Sequence, residues 1–188
     1  MSVINTLADV TRVHAQHRGD AQALHYADDG RAWTYAELDT QANIVANALL
    51  DAGVSPGERV AYLDKNSPEY FMFLFGGAKI NAISVAVNWR LAAPEMEYIL
   101  NHSEANVLLI GEEFLPALAE MQLTSMKTIV VLGDPGATGY PTFEQWLVGH
   151  ADNDPHVPIA PEDTCYQLYT SGTTGLPKGV ELTHSNFM

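Results

Sequence analysis

The sequence predicts an α/β fold in which a mostly parallel sheet is flanked by helices and a glycine-rich loop joins its last two strands. Three observations carry this. Strand-like and helix-like segments alternate along the chain, the pattern of a sheet built from crossover units. Apolar runs near residues 60, 84, 107 and 130 lack period-two alternation, as strands covered on both faces do. Finally, "TCYQLYT" and "GVELTH", on either side of the glycines, both read as strands.

Residues 4–17 place Ile4, Leu7, Val10 and Val13 at three-residue spacing, an amphipathic helix. "ALHYADDGRAWTY" follows as a hairpin around Asp-Asp-Gly. Thr34 and Glu37 form a capping box for a helix carrying Leu38, Ala42, Val45, Leu49 and Leu50, which stops at Gly53. "RVAYL" is a strand. Ser67-Pro68-Glu69 starts a helix running toward Asn81, followed by the strand "AISVAV". Pro94-Glu95 starts a helix through about Asn101. "NVLLIG" and "TIVVLG" are strands with a helix near 112–122 between them, and Thr142 and Gln145 cap one more short helix.

The 188 residues suffice for one domain or two small ones. They divide into an α/β portion over about 1–150, a polar, proline-punctuated connection over 151–163, and a strand-loop-strand unit over 164–188. No repeat or low-complexity tract appears. Hydrophobic content of 47% and aromatic content of 9% are those of a globular chain.

With 23 acidic against 9 basic residues the net charge is −14, which disfavours nucleic acid and anionic membrane surfaces. Any anionic ligand must be held by a local arrangement. "MSVINTLADV" lacks the basic and long apolar regions of a secretory leader. The most apolar window, "EYFMFLFGGAKINAISVAV", is interrupted by Glu69, two glycines and Lys79, so a buried helix and strand fit better than a membrane span. The single cysteine, Cys165, excludes an internal disulfide and suits a reducing compartment such as the cytoplasm; it reads as a small buried hydrophobe.

The loop "YTSGTTGLPKGVELTH", residues 169–184, is the segment with chemistry. It is not a Walker loop, since counting from Gly172 the second glycine position holds Pro177, and Gly179 replaces the Ser or Thr after Lys178. It is not a hydrolase elbow, since Tyr169 and Thr173 flank Ser171 where glycines belong. Gly172 and Gly175 nevertheless allow close main-chain approach to a ligand, and freed amides can form an anion-binding concavity. Thr170, Ser171, Thr173 and Thr174 add hydroxyls. Lys178 is the only Lys or Arg from residue 128 onward. Together these suit a polyphosphate.

"YTSGTTGLPKGVELTHSN" resembles the phosphate-loop signature of the adenylate-forming superfamily, which includes acyl-CoA and aryl-CoA synthetases, peptide-synthetase adenylation domains and luciferases. The upstream stretch from "TYAELDTQANIVANALL" through "NWRLAAPEMEYIL" is similar to the same family's amino-terminal region, and "NWRLAAPEMEYIL" looks most like fatty-acid acyl-CoA synthetases. The resemblance implies activation of a carboxylic acid by ATP to acyl-AMP, then transfer to CoA. It implies that residues 171–175 wrap the β- and γ-phosphates, that Lys178 offsets their charge, and that the Thr170 hydroxyl is a ligand to Mg²⁺. Arg90 would lie toward the CoA nucleotide, with a structural ion pair as the alternative, and Trp89 beside it would pack.

Chains of this family are far longer. The resemblance therefore implies that the main catalytic lysine, the carboxyl-terminal domain, and the residues completing the metal, ribose and acyl sites lie outside these 188 residues, which are not expected to adenylate alone. Aryl-CoA ligation, amino-acid adenylation and a stand-alone nucleotide-binding or interaction module, its exposed edges covered by a partner such as a second copy, are the alternatives. His184 is expected to orient the loop or cap a helix, and Ser185 or Asn186 to cap the closing helix. His14 and His17 share a helix face without a third metal ligand. "DNDPHV" begins like a calcium loop but has His156 at the turn-glycine position.

Overall fold

A computed structural model describes residues 3–170 and 176–188. Helix α1 (Leu7–Arg18) starts three residues later than its apolar spacing predicts. Thr6 and Asp9 form a capping box, each side chain accepting from the other's amide, so the orphan donors of the first turn are met at Thr6. Its buried face is Leu7, Ala8 and Thr11, while Val10 and Val13 are half-buried. Strands β1 (Gln22–His25) and β2 (Ala32–Thr34) form the expected hairpin as a separate two-stranded sheet. Thr34 and Glu37 then cap α2 (Tyr35–Asp51) as their spacing predicts.

The main sheet comprises β3 (Arg59–Leu63), β4 (Ile83–Ala86), β5 (Val107–Gly111), β6 (Thr128–Leu132), β7 (Thr164–Thr170) and β8 (Lys178–Thr183). Its order is β6-β5-β3-β4-β7-β8. All neighbours are parallel except β8, which runs antiparallel to β7. Helix α3 (Pro68–Lys79) connects β3 to β4, and α4 (Ala93–His102) connects β4 to β5. Ser67 caps α3 with proline at its first position.

Successive residues of β3 explain why the apolar runs do not alternate. Val60 and Tyr62 pack with Leu38, Val45 and Leu49 of α2 and with Phe73 of α3. Ala61 and Leu63 point the other way, into Met96, Ile99 and Leu100 of α4. Both faces are covered, and each large buried side chain contributes roughly 1.5–3 kcal/mol.

The helix expected over 112–122 is shorter. It is a 3₁₀ turn, Glu112–Phe114, followed by one α-turn, α5 (Leu115–Leu118). The chain then leaves the helical path because α4 captures its amides. Gln122 N–H donates to Glu97 (3.0 Å) and Thr124 N–H donates to Asn101 (2.9 Å). Thr142 and Gln145 cap the short α6 (Phe143–Leu147).

The polar connection is bound tightly to the helices. Asn47 donates to the carbonyls of Ala151 and Asn153, and Asn43 to that of Asp152. Lys79, visible in the sequence only as a break in an apolar run, is fully buried, with its ammonium 2.8 Å from Asp39 and 2.9 Å from Asp154. Arg12 grips the same Asp154 with two hydrogen bonds of 2.6 and 2.8 Å, and these cations hold its carboxyl well below the usual range. The calcium-like segment is thus an ion-pair anchor. His156 does adopt a positive φ of 52°, as a turn glycine would, but Asp154 is committed to Arg12 and Lys79. Among the described residues no helix is long and apolar enough to cross a membrane.

Candidate functional site

The chain steps from β3 to β4 on one side, then crosses back to β5 on the other side of β3. Connections leaving the carboxyl ends of these strands therefore diverge to opposite faces, and such a reversal opens a crevice above the sheet. Here it is a cavity of about 570 Å³ lined by Tyr62, Asp64, Tyr70, Trp89, Tyr166 and Thr170 among others. The Tyr70 and Tyr166 hydroxyls lie 2.7 Å apart, and the Tyr62 hydroxyl donates to the Lys65 carbonyl at 2.6 Å. Burial pushes all three phenols up, so they are neutral hydrogen-bonding groups. Burial also raises the Asp64 carboxyl, with Glu113 and Glu69 adding to the effect.

Thr170 ends β7 at the rim of this cavity, and its register partner is Lys178, the first residue of β8. The two predicted phosphate-site residues therefore stand side by side. Both are exposed, and among the described residues Lys178 makes no ion pair. Lys178 also borders an open cleft of about 520 Å³ with Tyr98 and His102 of α4. The remaining predicted loop residues, Ser171, Gly172, Thr173, Thr174 and Gly175, lie outside the described residues.

Arg90 follows β4 at the same end of the sheet. It makes no ion pair among the described residues; its guanidinium lies 4.1 Å from the centre of the Trp89 ring, and Lys65 approaches the same ring at 5.5 Å. Trp89 is thus both a packing residue and a platform for cations. An arginine next to a tryptophan carries no periodic signal from which this stacking could be read.

His184 does cap a helix, but the one at the other end of the chain. It is fully buried, and its Nδ1 accepts the amide proton of Leu7 at the start of α1. Asn186 caps the closing 3₁₀ turn by accepting from the Thr183 amide. Cys165 is buried, and its thiol is pushed up to about 11, which makes it inert. Among the described residues no three His, Cys, Asp or Glu side chains group as a metal site.

Sequence reasoning missed a polar chain that reaches Tyr169 on β7. Arg59 Nε donates to Gln167 Oε1 (3.2 Å), Gln167 Nε2 donates to the Tyr169 hydroxyl (3.0 Å), and that hydroxyl meets His102 Nδ1 (2.8 Å). Its members come from two strands and a helix that lie far apart in the chain, so no local spacing announces it.

Comparison with known proteins bears on the family and the fold. Residues 11–188 match a family model described as AMP-binding enzyme. The fatty acid–[acyl-carrier-protein] ligase ScoC of Streptomyces coeruleorubidus is 43% identical over 185 residues, which cover 98% of this chain and 34% of that protein. The 3-hydroxybenzoate–CoA/4-hydroxybenzoate–CoA ligase of Thauera aromatica is 37% identical, over 95% of this chain and 34% of that one. Among solved structures, the anthranilate CoA ligase AuaEII in complex with anthranoyl-AMP matches with a TM-score of 0.92 and 34% identity, over 100% of this chain and 36% of that chain. The chain spans about a third of the length of these relatives. A match over nearly all of its length, on a shared fold, leaves one assignment: the chain belongs to the AMP-binding enzyme family.

Proposed function

We propose that the whole protein activates a carboxylic acid with ATP and passes the acyl group to a thiol. A carboxylate oxygen attacks the α-phosphorus, the bond to the β-phosphate breaks, and pyrophosphate leaves. The thiol sulfur then bonds to the acyl carbon, AMP departs, and the thiol proton goes to solvent. The observation that carries this reading is the pairing of Thr170 with Lys178 at the carboxyl end of a parallel sheet, in a chain of the AMP-binding family.

Lys178 is assigned the charge of the β- and γ-phosphates, and Ser171, Gly172, Thr173, Thr174 and Gly175 the wrapping of them. The work of such a loop is positioning and electrostatic stabilisation of the leaving group. The Thr170 hydroxyl, an exposed hard oxygen at the cavity rim, fits a Mg²⁺ ion held otherwise by phosphate oxygens and water. When bound, that ion would neutralise phosphate charge.

The substrate we assign is a fatty acid, supported by the name of the 43%-identical relative and by "NWRLAAPEMEYIL". Aryl acids are the alternative that the hydroxybenzoate and anthranilate ligases favour. The acceptor we assign is CoA, with Arg90 on Trp89 facing its nucleotide. A carrier-protein thiol is a second reading, favoured by the carrier-protein ligase among the relatives. A reducing cytoplasm suits the lone buried thiol.

The test is ATP–pyrophosphate exchange by the whole protein with fatty, aryl and amino acids, followed by thioester formation with CoA or with acyl carrier protein. Lys178→Ala is expected to cut exchange by about 10²-fold or more, as for loss of other positioned donors, with unchanged thermal unfolding. Equal exchange by mutant and parent removes the role of Lys178.

A further inference from the structure

The polar chain ending at His102 has a fixed direction from Arg59 as far as Tyr169. Arginine only donates, so Arg59 Nε turns the Gln167 amide with its oxygen inward and its nitrogen toward Tyr169. The Tyr169 oxygen accepts from that nitrogen and shares a second hydrogen bond with His102 Nδ1. A guanidinium on β3 thus polarises a row of hydrogen bonds that stops at an imidazole on α4.

The same chain grips β8 at two points. The other arm of Arg59 reaches Glu181 at 2.6 Å. Two residues earlier on β8, Gly179 is the register partner of Tyr169 and lies beneath this network. A Cβ on Gly179 would sit 2.5 Å from Gln167 Nε2 and 3.3 Å from Tyr169 Cζ. The glycine is needed for the ring and amide to lie flat across the hairpin. His102 closes on Tyr169 from outside, its ring edge-on at 86° and itself stacked beside Tyr98 at 5.3 Å. The next register pair beyond Tyr169 and Gly179 is Thr170 and Lys178.

We propose that His102 is a positioning residue: by holding the Tyr169 hydroxyl it sets the end of the β7–β8 hairpin, and with it the mutual placement of Thr170 and Lys178 around the ATP phosphates. This rests on the adenylation reading given above. His102 touches no reacting atom. Its requirement is a hydrogen-bonding partner for the Tyr169 hydroxyl at the Nδ1 position, which asparagine also supplies and alanine does not.

The experiment uses the whole protein. His102→Ala is expected to raise KM for ATP about fivefold, the worth of one hydrogen bond, with kcat and KM for the acid within twofold. His102→Asn should restore the parent value. Tyr169→Phe should cost at least as much as His102→Ala, since it also removes the acceptor of Gln167 Nε2, and adding His102→Ala to Tyr169→Phe should cost nothing further. An unchanged KM for ATP in His102→Ala, equal impairment in His102→Asn, or additive losses would each overturn the proposal.

Hydrogen exchange of residues 176–180 provides a reading independent of activity. It should quicken in His102→Ala and not in His102→Asn. If the parent protein exchanges no pyrophosphate with any acid, the adenylation reading fails by itself. The exchange of residues 176–180 then still decides whether His102 sets the hairpin, and identical exchange in parent and His102→Ala overturns it.

Discussion

The Nδ1 of His184 accepts the amide proton of Leu7 at 3.0 Å, a bond across 177 residues that ties the end of β8 to the start of α1. It replaces the local side-chain cap that this N–H would otherwise need. His184→Ala leaves a buried donor unmet and should cost about 1–3 kcal/mol in denaturant unfolding. His184→Asn, which keeps an acceptor, should recover much of it.

The same bond makes the fold acid-sensitive. Burial holds the His184 imidazole below its ordinary value, so the folded state resists a proton that the unfolded chain takes up at about 6.5. Stability from this site is complete above that pH and declines as pH falls below it. His14, also lowered, acts in the same direction but is unchanged in a His184→Asn variant. Between pH 7.5 and 5.5 the parent should therefore lose more thermal stability than the variant; parallel losses would count against this role.

Lys79 is a buried cation whose only partners among the described residues are Asp39 and Asp154. Lys79→Ala would leave Asp39 without its cation and Asp154 with Arg12 alone. Breaking a buried pair from one side costs about 3–5 kcal/mol, and urea unfolding should show a loss of that size.

Gly76, inside α3, is a position where propensity and packing disagree. Alanine favours a helix interior over glycine by about 1 kcal/mol. Yet a Cβ there would lie 2.6 Å from Val45 Cγ1 and 3.0 Å from the Ala42 carbonyl oxygen on α2. Overpacking of this kind costs roughly 1–3 kcal/mol, so Gly76→Ala should lower the melting temperature despite the better helix former.

Asp64 lines the cavity with its carboxyl raised, chiefly by burial. A carboxyl that resists ionisation in the fold weakens the protein when it is charged. Asp64→Asn should therefore raise the melting temperature at pH 7, and the gain should shrink as pH falls toward about 4, where free aspartate also takes up its proton. A gain that stays constant over this range would refute the assignment.

The 188-residue chain by itself, a third the length of its relatives, should catalyse no ATP–pyrophosphate exchange above background with any acid. Exchange by the isolated chain would mean that these residues suffice for adenylation.

Local features were legible from the sequence alone. The capping pairs Thr34–Glu37 and Thr142–Gln145, the start of α3 at Ser67-Pro68 and the unalternating runs of β3 to β6 depend on neighbours within four residues. So does the motif that names the family, from Tyr169 to Lys178. The pairings Lys79–Asp154, His184–Leu7 and His102–Tyr169, and the shortening of α5 by Glu97 and Asn101, were decided by the tertiary structure. Caps and periodicity are short-range properties of one chain segment. A buried cation or an imidazole acquires its partner only when strand order brings distant segments together, and strand order is set by how all the apolar faces close at once.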